Sequence, residues 1–235
     1  MSAWNRKDYD TFQISIQSLL SIIKNVKNWP TIEYIRSRME EIETIVIKDP
    51  RATNIILDSI KNILPLLLEN KKNYPARELL WDYRDFSYFI ISDGLSVSIL
   101  HSLTNYREIG ITMVEKNKEK LLFNLFDDFM DIYEKAKNRN LQKRSPALMT
   151  FSALGIAAAK SGLKKTLIKF LQYLVEYDFT AILNFPFRTL DIIKKESKKR
   201  NWKNIYTFCE ELEKSFHESK GENAKILNLL TLLDE

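Results

Sequence analysis

The sequence predicts an all-α fold of about ten helices packed as successive antiparallel hairpins. Glycine and proline, which sheet proteins need in their many turns, number only five and six among 235 residues. Apolar residues recur three and four positions apart over long stretches, as they do along one side of a helix. No useful length of sequence alternates polar and apolar residues as a half-buried strand would.

The first two helices are expected to form a hairpin. Apolar residues at helical spacing run from Phe12 to Val26, and Trp29-Pro30 ends that helix and begins the next. In the second helix, four charged residues lie off the apolar side: Glu33, Arg36, Glu40 and Glu43. The short connection between the two apolar patterns favours an antiparallel pair. We take Ile16 and Ile42 as core positions of this hairpin.

The remaining helices follow from breaks in the apolar pattern. One runs from about Pro50 to Leu68 and is kinked or ended near Pro65. The next, 76–91, is apolar or aromatic nearly all round, which is typical of a central helix. Gly94 and Gly162 suit the left-handed position just past a helix end. Further helices are predicted at 105–117, 118–138, 146–161, 163–178, 188–200, 202–218 and 222–233.

A faint repeat suggests a short α-solenoid-like array. Residues 167–174 align with residues 205–212 at an offset of 38, within the range of helical repeats, although any two amphipathic helices can be aligned in this way. Small residues at Ser152, Gly155 and Ala159 predict a close approach of a neighbouring helix. We predict one domain over residues 1–235, with a finer division into N-terminal hairpins at 1–72 and a repeat-like body at 74–235.

Two groups of carboxylates are candidates for chemistry. Asp127, Asp128 and Asp131 resemble an Asp-Asp-x-x-Asp magnesium site, but they lie opposite the apolar side of their helix, so we expect them in solvent, with Asp131 paired to Lys135. Glu78, Asp82 and Asp85 share one side of an otherwise apolar helix. They predict either carboxylates that lie at an exposed edge or pair with Arg77, Arg84 or a nearby lysine, or the site of a metal-dependent or acid–base enzyme.

Other catalytic patterns are missing from the sequence. His101 and His217 are far apart, and neither an H-x-x-x-H motif nor a His–Asp dyad is apparent. One cysteine and two histidines are fewer ligands than a structural zinc site usually needs, and Cys209 is expected in the core. No glycine-rich phosphate loop occurs. The sequence therefore predicts no cofactor and no metal.

Basic residues concentrate between residues 135 and 203. This segment holds 16 Lys and Arg but only four acids, a net charge of +12. The whole chain carries +5, which leaves −7 for the other residues. A positive region of this size attracts anions, although a lysine-rich composition that only keeps the protein dissolved is the alternative.

We therefore expect a non-catalytic interaction or scaffold protein that presents the basic segment to an anionic partner. An acidic protein surface and a nucleic acid are equal alternatives, and a membrane surface ranks third. The single cysteine and the lack of an apolar signal core favour the cytoplasm. The predicted binding residues are Lys164, Lys165, Lys194, Lys195, Lys198, Lys199, Arg200 and Lys203, with Trp202 available to stack on bases.

Overall fold

The computed structural model describes residues 6–25, 29–69, 73–141, 144–176, 186–218 and 228–233. This part of the chain contains ten α-helices, a short 3-10 helix at Asn228–Leu233 and no strand, so the all-α prediction is confirmed. The helices are α1 (Arg6–Asn25), α2 (Trp29–Val46), α3 (Pro50–Glu69), α4 (Asn73–Ser92), α5 (Ser96–Glu115), α6 (Glu119–Asn138), α7 (Arg144–Ser161), α8 (Lys164–Glu176), α9 (Pro186–Lys199) and α10 (Lys203–Glu218).

Three helices differ from the prediction. Helix α5 begins at Ser96, nine residues earlier than predicted, because small hydroxyl residues such as Ser98 and Ser102 face the core and interrupt the apolar pattern. Helix α3 continues through Pro65 to Glu69, since buried leucines on both sides of the proline hold the last turns in place. The segment predicted as a helix at 222–233 has only its 3-10 part, 228–233, within the described residues.

Contacts divide the chain into two compact units, Met1–Ala147 and Leu148–Glu235. In unit 1, α1, α3 and α5 pack in succession, α2, α4 and α6 do the same, and each helix also contacts the next one along the chain. This is a two-layer arrangement, in which α4 touches four other helices and is central, as predicted. The division proposed at 72–74 falls inside unit 1, where α2 packs on α4. The basic segment 135–203 extends over both units.

Unit 2 contains a close contact between α7 and α8. A Cβ atom added to Gly155 would lie 2.6 Å from the ring of Phe170, so only glycine allows this approach. The Phe151 ring packs against the Phe170 ring with centroids 4.5 Å apart. Ser152 shares a short hydrogen bond with Thr189 of α9. The predicted packing of the small residues is confirmed; a true 38-residue repeat stays a prediction.

Five helix ends have the same hydrogen-bonded turn. Gly94, Asn117, Asn140, Gly162 and Asn201 have positive φ angles of 77°, 53°, 56°, 80° and 57°. At each one, its N–H donates to the carbonyl three residues earlier, and the next N–H donates to the carbonyl five residues earlier. These are Schellman turns, in which a left-handed residue satisfies two helix-end carbonyls. No helix of the described residues is long and apolar enough to cross a membrane.

Replacing Ile16 by Asp tests the core of the first hairpin. Ile16 is 1% exposed, whereas Ile14 of the same helix is 64% exposed. We expect Ile16→Asp to lower the free energy of unfolding by about 3–5 kcal/mol, because it buries a carboxylate without a partner. Ile14→Asp, the matched control, should change it by less than about 0.5 kcal/mol. Equal urea midpoints for the two variants would contradict the helix register. Ile42, which the sequence predicted as a core position, is only partly buried, so Ile42→Asp should lower the free energy of unfolding by less than Ile16→Asp does.

Candidate functional site

The most tightly connected polar cluster joins α2 to α4. The Arg36 guanidinium donates to both carboxylate oxygens of Asp82, at 2.7 and 2.5 Å, and to Glu78 at 3.1 Å. Arg77 donates to the other oxygen of Glu78 at 3.1 Å. Glu78 and Asp82 are buried, and Arg36 is mostly covered. The cluster is therefore a buried ion network between two helices of unit 1.

This network corrects the expectation for charged residues of α2. Arg36 was placed off the apolar side, yet it supplies the main partner of the carboxylates on α4. Glu43, also placed off that side, is 4% exposed. The anticipated pairs with Arg77 and Arg84 do form, with Arg84 bound to Asp85 at 3.0 Å. The placement of Glu78 and Asp82 on one side of their helix was predicted, but the arginine of α2 that lies opposite both of them was not.

Burial sets the electrostatics of this network. It raises the pKa of Asp82, although the hydrogen bonds from Arg36 act in the opposite direction. Burial also raises the pKa of Glu43 well above its usual value, and the nearby charges of Asp82, Glu40 and Asp85 add to that effect. The Oε1 atom of Glu43 is buried without a hydrogen-bond partner. Negative charge is thus concentrated between α2 and α4.

The Asp-Asp-x-x-Asp segment is less exposed than predicted. Asp127 is exposed, and the predicted pair between Asp131 and Lys135 forms at 3.0 Å. Asp128, in contrast, packs against α4 and contacts Arg84 at 3.4 Å. Tyr88 donates a short hydrogen bond to Asp131. Burial raises the pKa of Asp128 to about 6, against the lowering effect of Arg84. The sequence predicts one buried face for α6, whereas the helix packs on both α4 and α5.

A His–Asp pair that the sequence did not reveal links α3 and α5. The Nε2 atom of His101 lies 2.9 Å from Oδ1 of Asp58, and Asn105 donates to the same oxygen at 3.0 Å. Burial favours a higher pKa for Asp58, but the hydrogen bonds from His101 and Asn105 outweigh it and lower the pKa to about 2. Lys61 adds an ion pair at 3.3 Å. Asp58 is therefore held as a carboxylate by three neighbours.

Cys209 lies in the core of unit 2, as predicted. Burial raises the pKa of its thiol, which disfavours a reactive thiolate. Across the described ranges, no three His, Cys, Asp or Glu side chains are placed to hold one metal ion.

The basic residues of unit 2 gather where two turns meet. Arg200, at the end of α9, donates to the Lys160 carbonyl of α7 at 2.6 Å and lies against Gly162. This contact joins the turn before α8 to the turn before α10. We call the cations near these turns the basic turn surface: Lys164, Lys165, Lys198, Lys199, Arg200 and Lys203. Lys164 is partly covered, and the other five are exposed.

Other predicted binding residues have partners of their own. Lys194 pairs with Asp191 at 3.2 Å and closely with Glu213 of α10, so it serves packing within unit 2. Lys199 pairs with Glu196 at 2.6 Å, while Lys195 is exposed on the same helix. The Trp202 ring is partly covered and lies 5.5 Å from the Arg200 guanidinium. Only part of its ring is therefore open to a stacking partner.

Comparisons with known proteins give no family for this chain. It matches no protein-family model, no curated protein and no solved structure.

Replacing Arg36 by Met tests the buried network. Removing the arginine leaves Glu78 and Asp82 without their main partner, and breaking a buried pair in this way typically costs about 3–5 kcal/mol. The matched control is Arg38→Met on the same helix, whose ion pair with Glu41 is exposed and should contribute less than about 1 kcal/mol. Chemical denaturation at neutral pH measures both. Similar losses in the two variants would show that the Arg36 network does not hold α2 on α4.

Replacing Asp128 by Asn tests the pKa of about 6. A carboxyl whose folded-state pKa exceeds its unfolded value binds more protons when folded, so its contribution to stability falls as pH rises from about 4 to about 6. The loss is on the order of 2–3 kcal/mol, because each pKa unit corresponds to about 1.4 kcal/mol. In Asp128→Asn we expect this part of the decline to disappear. Asp127→Asn, at the exposed neighbour, should keep most of the decline, because the charge of Asp127 is one of the smaller causes of the raised pKa of Asp128. An unchanged decline in Asp128→Asn would contradict the raised pKa.

Proposed function

We propose that the protein is a non-catalytic binding protein whose basic turn surface engages an anionic partner, either an acidic protein surface or a nucleic acid. One observation carries this proposal. Helices α8 and α10 begin at turns that touch each other, and both have lysine but no acid in the first turn. Two helix N-termini and their lysines are thereby directed to one region of unit 2.

The placement of these lysines is unfavourable for the helices themselves. The N-terminus of a helix carries a partial positive charge, so Lys164, Lys165 and Lys203 are repelled by the helices that they begin. Lysines placed only for solubility or for helix stability would be favoured at helix C-termini, as Lys198 and Lys199 are. Free N–H groups beside cations are the common arrangement of an anion site. This supports a binding role for the N-terminal lysines.

Arg200 has a structural part in the proposed surface. Its bond to the Lys160 carbonyl satisfies an acceptor at the C-terminus of α7, where a cation is also favoured by the helix dipole. An acidic replacement would place a carboxylate beside a carbonyl. Arg200 therefore holds the two turns together, while Lys165, Lys198 and Lys203 supply exposed charge.

The enzyme alternative has less support. Its residues Glu78 and Asp82 are engaged by Arg36, which leaves few of their lone pairs available for a metal or a substrate proton. We therefore place binding before catalysis.

Titration with labelled single-stranded and double-stranded oligonucleotides and with an acidic peptide at several salt concentrations tests the proposed function. Each phosphate contacted on duplex DNA contributes about −0.9 to the slope of log affinity against log salt, so four to six contacts give about −4 to −5. Changing Lys165, Lys198 and Lys203 to Glu should flatten this slope while keeping the thermal midpoint, because all three side chains are exposed.

The control variant makes the same charge change elsewhere. Lys48, Arg107 and Lys120 are exposed residues of unit 1, and their replacement by Glu should leave the slope nearly unchanged. If none of the three polyanions (single-stranded oligonucleotide, double-stranded oligonucleotide and acidic peptide) binds at about 50 mM salt, where electrostatic attraction is strong, the proposed function is wrong. An equal loss in both triple variants would show that net charge, not this surface, is responsible.

A further inference from the structure

A cavity of about 530 Å³ lies between α2 and α4 in unit 1. Four carboxyl groups line it, Glu40 and Glu43 from α2 and Asp82 and Asp85 from α4, together with the aromatic rings of Tyr88 and Phe89. Among the described residues that line the cavity there is no lysine or arginine. The volume is within the range of small-molecule sites.

The burial of Glu43 distinguishes this cavity from an ordinary acidic surface. It lines the cavity, is 4% exposed, and has one carboxyl oxygen buried without a hydrogen-bond partner. A buried polar atom left in this state costs free energy that a ligand can recover. Arg36 gives Glu43 no hydrogen bond, because the Arg36 guanidinium is bound to Asp82 and Glu78.

We propose that this cavity binds an organic ammonium or guanidinium cation, with Glu43 as the deepest contact. The nitrogen would donate to the Glu43 carboxyl once its covered, unpartnered oxygen turns toward the cavity, with the charges of Glu40 and Asp85 at the opening. The carbon chain would lie against Phe89, whose ring is 54% exposed and offers a face for a cation–π contact. This inference uses only residues of unit 1 and does not depend on the basic turn surface.

Two observations favour an organic cation over a metal ion. Asp82 already accepts two hydrogen bonds from Arg36, so it acts mainly as a fixed charge beside the cavity. In addition, within the described part of the chain the carboxylates are not grouped as ligands of one ion. A metal needs several oxygens at about 2.0–2.6 Å, whereas an alkyl amine can span separated carboxylates. The aromatic lining has no role for a hydrated metal but suits a carbon chain.

The burial of Glu43 is consistent with this ligand. Burial, followed by the charges of Asp82, Glu40 and Asp85, raises the pKa of Glu43 well above its usual value. An incoming cation opposes both effects by supplying a hydrogen-bond donor and a positive charge. In the free protein, Glu43 therefore weakens the fold in a way that a bound cation reverses.

Calorimetric titration of the full chain tests the inference. The probes are 1,5-diaminopentane, a short lysine peptide, 1,5-pentanediol as the neutral match and magnesium chloride, all at low salt. We expect saturable one-to-one binding of the amine or of the peptide and none of the diol. Binding of the diamine would identify a free amine as the source of the cation, and binding of the peptide alone would identify a lysine side chain.

Two variants locate the binding site. Glu43→Gln should weaken binding by about ten- to a hundredfold, the usual contribution of one charge-assisted hydrogen bond. It should also keep or raise the thermal midpoint, since it removes a carboxyl that is buried near Asp82, Glu40 and Asp85. The matched control is Glu41→Gln, an exposed residue of the same helix that is not among the cavity-lining residues, and it should bind like the parent. Failure of both amines to bind, equal loss in the two variants, or binding of magnesium in place of the amines would overturn the inference.

Discussion

The left-handed residue at the end of a helix is the constraint on which the rest of this structure depends. Five turns use it, and each closes with the same pair of backbone hydrogen bonds. The turn reverses the chain in about three residues, so consecutive helices must pack against each other. Two of these turns, at Gly162 and Asn201, also set the start of α8 and α10 and so determine where the basic turn surface lies.

The buried network of Arg36 determines how the layers of unit 1 are aligned. Apolar side chains tolerate a shift of one helix along another, but a guanidinium that donates to three carboxylate oxygens fits only one register. Charged groups out of water cost free energy, and such a network often adds little to stability over an apolar replacement. Its contribution here is geometric, because it fixes α2 on α4 and leaves the acidic cavity beside it.

Periodicity could predict the helices but not which charges are buried. The apolar pattern predicted α2 to α4 and α6 to α10 to within a few residues, but it began at Phe12, six residues after the start of α1 at Arg6. Glycine marked two of the five left-handed turns. Asn117, Asn140 and Asn201 were missed, although asparagine is the residue other than glycine that most readily adopts this conformation. Arg36, Glu43 and Asp128 were placed in solvent because one apolar side was assigned to each helix. In a two-layer array, a helix contacts neighbours on more than one side, so the buried arc is wider than its apolar stripe.

The two proposed sites differ in how the fold compensates their charge. On the basic turn surface the lysines are exposed, so water and counterions reduce their mutual repulsion and the cost to the fold is small. Glu43 has no such relief, because it is buried among other carboxyls with one oxygen unbonded. A glutamine would have nearly the same shape and would not add a fourth carboxyl to Glu40, Asp82 and Asp85. The carboxyl is therefore explained more simply by a cation that it meets in the bound state than by the packing of α2 on α4 alone.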